Sequence, residues 1–138
     1  MAAVMTFVSK IENDSSSLYQ DCAEKLPGLR DHFLSWVKEN ESFEKRVKRT
    51  YFGVITDTLE SNFAFEGLDT DDYPLQLTLP GDADVPQIKN RAIETEKTIM
   101  SFYLEAAQLS ESLMADIPRL FKKIAKKRQE RAEIIGSL

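Results

Sequence analysis

The residues in this chain best placed to do chemistry are two glutamates, each interrupting an apolar helical stripe. Val8, Glu12, Ser15, Tyr19, Cys22 and Leu26 step 4-3-4-3-4 along the chain, and Ala92, Glu96, Ile99, Tyr103, Ala106 and Ser110 repeat that spacing 84 positions later. Such a rhythm keeps all six residues of each series on one helix face. A carboxylate on a buried face is costly unless a metal, a cation or hydrogen-bond donors meet it. The partners of Glu12 and Glu96 therefore decide what the protein does. Tyr19 and Tyr103 share the two faces, where a phenol could donate to a carboxylate or carry a radical; core packing with a satisfied hydroxyl is the simpler expectation.

Other constellations carry less. The basic run Lys122, Lys123, Lys126, Lys127 and Arg128 reads as a solvated helix face rather than a nucleic-acid interface. Asp69-Thr-Asp-Asp72 resembles part of a calcium loop but lacks the glycine and distal glutamate of the twelve-residue pattern, so it reads as surface connector. The chain has no glycine-rich phosphate loop, no Cys-x-x-Cys pair, and no nucleophile with a base and an orienting group. Cys22, the only cysteine, lies on the inward stripe and is expected to be a small core residue.

Four helices must position these residues. The first is expected from about Ala3 to Lys25, ending at Pro27-Gly28, a pair that favours a turn. The second, from Leu29 to about Leu59, carries the stripe Leu29, Phe33, Trp36, Asn40, Phe43, Val47, Tyr51, Val54. Periodicity disappears between Ser61 and Asp84, which reads as a connector. The third helix starts where Asp84-Val-Pro-Gln87 offers a cap, a first-turn proline and a capping-box glutamine, and extends to about Leu109. The fourth runs from near Asp116 almost to Leu138, with Ile117, Phe121, Ile124, Arg128, Arg131 and Ile135 on one face.

Short links join helix one to two and helix three to four, which makes each of those pairs an antiparallel hairpin. At ~3.3 Å per extended residue the middle connector can run the length of a bundle, which places helices two and three parallel. The expected architecture is all-α: a single 138-residue domain with two hairpins joined by a long crossover about residues 61–84, in up-down-down-up order.

Composition sets the outer limits. With 138 residues, 42% of them hydrophobic, the chain suits one core, and 23 acidic against 18 basic residues give a net charge of −5 that opposes general binding to nucleic acid or anionic membrane. No segment approaches the ~20 apolar residues of a membrane span, and the first ten residues lack a secretory h-region, so a cytoplasmic protein is expected.

Glu96-Lys-Thr-Ile-Met-Ser-Phe-Tyr-Leu-Glu-Ala-Ala107 resembles the third helix of the rubrerythrin-related branch of the ferritin-like superfamily. Glu12-Asn-Asp-Ser-Ser-Ser-Leu-Tyr-Gln-Asp-Cys-Ala23 resembles its first helix, Ala64-Phe-Glu-Gly-Leu-Asp-Thr-Asp-Asp-Tyr73 its connector, and Phe121-Lys-Lys-Ile-Ala125 the opening of its fourth. The resemblance implies a ferritin-like four-helix bundle. Working members hold two irons with one glutamate from each of helices one and three, and Glu-x-x-His from each of the other two. Here Asn40 and Phe43 stand at the ligand positions of helix two, and Arg128 and Arg131 at those of helix four. The iron-sulfur tail of many rubrerythrins is also missing.

Rescue by neighbours is poor. Glu39, Glu41 and Glu44 lie about 100° or more around the helix from the positions they would have to fill. His32, the only histidine, precedes Asn40 by a rise of about 12 Å. Guanidinium groups repel a divalent cation and can instead bond carboxylates through planar forks. Glu12, Glu96, Arg128 and Arg131 are thus expected to form a buried charge network in place of iron, with Glu12 and Glu96 the candidates if any metal binds. We expect no cofactor and a non-enzymatic structural or protein-interaction module, which the resemblance suggests is a homodimer. The contrasting reading is an iron-binding oxidoreductase acting on peroxide or oxygen through Glu12, Glu96 and some of Glu39, Glu41 and Glu44. A third is a small-ligand site bordered by Trp36, Phe43 and Tyr103.

Overall fold

The computed structural model describes residues 2–54, 67–111 and 116–138, and among them it is all-helical, with four α-helices and no strands. Helix α1 spans Ala2–Lys25, α2 Arg30–Val54, α3 Val85–Leu109 and α4 Asp116–Ser137. Residues 55–59, expected to finish the second helix, and the connector's first residues 61–66 lie outside the described residues.

Local chemistry sets the boundaries. Leu26, held out of the helical region before Pro27, ends α1, and a 3-10 turn over Pro27–Leu29 feeds directly into α2. Asp84 caps α3: its carboxylate accepts from the Gln87 amide at 2.9 Å while the Asp84 amide donates to the Gln87 side chain at 2.8 Å. This reciprocal box satisfies two amides that the first turn leaves without helical partners.

Contacts fix direction. Between α1 and α2, Ser9 meets Glu44, Ser15 meets Asn40 and Tyr19 meets Trp36, so one number rises as the other falls and the pair is antiparallel. Helices α3 and α4 behave alike, with Tyr103 against Phe121 and Glu96 against Arg128. Across the bundle α1 packs on α3 and α2 on α4.

The interior is layered. One apolar cluster, containing Val8, Phe43, Phe102, Phe121 and Ile124, fills the end where α4 begins. A second, containing Tyr19, Phe33, Trp36, Ala92 and Ile135, fills the other end. Between them lie the buried polar residues Glu12, Ser15, Asn40, Thr95, Glu96, Arg128 and Arg131.

The described part of the connector packs against the bundle. Tyr73, Leu75, Leu77 and Leu79 turn inward, alternating with exposed neighbours in a period of two rather than a helical one. Tyr73 is buried against Phe7 of α1 and Phe102 of α3. Arg91 of α3 donates to the carbonyls of Gln76 and Thr78, tying the segment to the bundle. Asp69 to Asp72 form an outer turn in which the Asp69 carboxylate accepts from the Asp71 amide.

Candidate functional site

The polar layer is built around Arg128, which is fully buried between two carboxylates from different helices. Its Nη2 donates to both oxygens of Glu12, one of them at 2.9 Å, and its Nη1 donates to Glu96 Oε1 at 3.0 Å. One guanidinium thus bridges α1 and α3 from α4. Its planar fork makes that geometry possible, because two edges face two acceptors without bending the side chain.

Arg131 lies one turn further along α4 and leans toward α2. It donates to Glu39 Oε1 through Nη2 at 2.7 Å and Nε at 3.2 Å, to Asn40 Oδ1 at 2.7 Å, and to Glu96 Oε1 at 3.4 Å. The main partner of Arg131 is therefore Glu39, whose side chain is 35% exposed, rather than the two buried glutamates alone. Sequence spacing missed this pair because Glu39 sits one residue off the inward stripe; a long side chain beside the α2–α4 seam reaches across regardless.

The two positions expected to have lost iron ligands are both in use. Asn40 bridges by accepting from Arg131 and donating to the hydroxyls of Ser15 at 3.1 Å and Ser16 at 3.0 Å. Phe43 lies under both guanidinium groups, at 5.8 Å from Arg128 and 5.2 Å from Arg131, and Trp36 adds a second face to Arg131 at 5.6 Å. These ring faces favour desolvated cations.

The tyrosines of the two stripes differ. Tyr19 donates its hydroxyl to Glu96 Oε1, whereas the buried Tyr103 hydroxyl has no hydrogen-bond partner among the described residues. The expectation of a satisfied hydroxyl therefore fails at Tyr103. Both oxygens of Glu12, the matching acceptor, are engaged by Arg128 instead. Burial, together with the nearby carboxylates, raises both phenols well above their ordinary pKa, so they remain protonated.

Burial also pushes Glu12 up to about 7, with Arg128 and Arg131 pulling the other way and Glu96 adding to the rise. Arg128 is held firmly in its charged form, burial being outweighed by Glu12 and Glu96. Glu96 gathers its three donors on Oε1, while among the described residues its Oε2 has no donor and the Arg128 Nε no acceptor. Cys22 is a buried core thiol pushed up to about 12 by desolvation.

This donor set does not fit a pair of irons. Glu41 pairs with Lys45 at the surface and Glu44 with Lys48 and Ser9, while His32 is exposed beside Trp36. Among the described residues no three histidine, cysteine, aspartate or glutamate side chains converge as a metal-binding group. A cation already lies between the two glutamates that would have to share the metals. Nor is any helix among those residues long and apolar enough to cross a membrane. The chain matches no protein-family model, and no curated protein or solved structure matches it.

Proposed function

We propose that this protein is a ferritin-like bundle in which an arginine-centred charge network takes the place of a di-iron centre, and that it works as a non-enzymatic interaction module. The observation that carries the reading is Arg128 bonded to Glu12 and Glu96 at once. The repeat of the two glutamate stripes and the antiparallel hairpins support a ferritin-like ancestry. A guanidinium cannot give up its proton near neutrality, so the position favours no second cation. Neither glutamate is free to act as a base or to bind peroxide through a metal. What remains is a rigid bundle with apolar side chains such as Leu104 and Val85 on its surface, suited to pairing with a second copy of itself or with another protein.

The test is metal analysis of protein purified from cells grown in iron-rich medium, with peroxide consumption and sedimentation velocity on the same preparation. We expect iron far below one atom per chain, no turnover, and a dimer. Two irons per chain with peroxide turnover would replace this reading with the oxidoreductase one.

A further inference from the structure

At the end of the bundle where α4 begins, α2 and α4 part to form a cleft of about 520 Å³. Arg46 and Arg49 line one wall, and Arg119 and Lys123 line the other. Within each helix the two cations are three or four residues apart, so they lie side by side on one face, roughly 5–6 Å apart at Cβ. Asp116, 3.6 Å from Arg119, offsets one of the four charges. Arg46, Arg49 and Lys123 have no ion pair among the described residues.

That concentration of positive charge is out of keeping with a chain of net charge −5. Four like charges facing one another across a cleft repel, and an anion that bridges the walls relieves the repulsion on both helices together. Three of the four are arginines, whose forks match the oxygens of a phosphate. Among the described residues Leu120 is the only apolar one lining the cleft and no aromatic ring does, so those residues offer little to a nucleobase or a lipid tail.

We propose that this cleft binds a small polyphosphate, an anion that packs three or more negative charges into the span of four side chains. A single phosphate carries about two negative charges near neutrality, fewer than the four cations that line the cleft. An acidic polypeptide spreads its charges beyond the cleft.

Thermal melts of the full chain with inorganic tripolyphosphate, orthophosphate or polyglutamate, at ionic strength matched with sodium chloride, test this directly. Tripolyphosphate at millimolar concentration is expected to raise the melting temperature by about 5 °C, and orthophosphate far less. The double variant Arg49→Gln, Arg119→Gln, at two exposed positions, should lose the shift. The double variant Lys10→Gln, Lys25→Gln, with the same change in net charge on α1, should keep it. An equal shift in both variants, no shift in the native chain, or a larger shift from polyglutamate would overturn the assignment. The iron analysis above reads the core alone, so either proposal can fail without the other.

Discussion

Arg128 is the residue that decides whether the core tolerates its carboxylates. With side chains of Glu12, Glu96 and Arg128 almost wholly buried, each depends on the others for compensation that water cannot supply. Arg128→Met keeps length and apolar volume but removes both ion pairs, and should destabilise the fold by about 3–5 kcal/mol at pH 7, read by urea denaturation. The loss should shrink at pH 5, where the Glu12 carboxyl, which burial already pushes up and which Arg128 alone bonds, takes up its proton. A loss below about 1 kcal/mol at pH 7 would mean that the pairs are energetically idle. Spacing alone placed Glu12, Glu96, Arg128 and Arg131 on inward faces. It could not distribute the bonds among them, because a stripe records the angle around one helix and says nothing of which neighbour lies nearest. Arg131 reaching Glu39, and Tyr19 but not Tyr103 finding a carboxylate, depend on how four helices seat against one another.

At the scale of the elements, the boundaries written in side-chain chemistry were the most legible. Asp84, Pro86 and Gln87 marked the start of α3 because a cap is a local interaction, complete within four residues. Asp84→Ala should cost about 1 kcal/mol through loss of that cap, measured as a lower denaturation midpoint at unchanged slope. A neutral result would show that packing of Ile88 and Ala92 holds the helix start without it. The inward stripes were equally readable, since every member of the four whose side chain is described is buried. The inward alternation within the connector was not legible. Tyr73, Leu75, Leu77 and Leu79 alternate as a strand would, yet they lie on helices rather than in a sheet. Tertiary packing gives that alternation its meaning, so it carried no assignable element in sequence.

For the molecule as a whole, two apolar clusters sandwich the polar layer, and so a change of protonation in that layer is felt as a change in global stability. Glu12 titrates near 7 in the fold against 4.5 when unfolded, because burial outweighs the guanidinium groups beside it. Between those values the native state holds the proton more tightly than the unfolded chain. This contribution to stability is complete below pH 4.5 and is lost as the pH rises through about 7, a fall of about 3 kcal/mol. Other acidic groups titrate over the same range, and Glu12→Gln isolates the one in question by presenting a permanently neutral side chain of the same shape. The stability of the native chain minus that of the variant should therefore decline from pH 4.5 to pH 7 and level off above pH 8. A difference that rises over the same interval would mean that Arg128 outweighs burial, making Glu12 an ordinary ion-pair partner and the network a net source of stability at neutral pH.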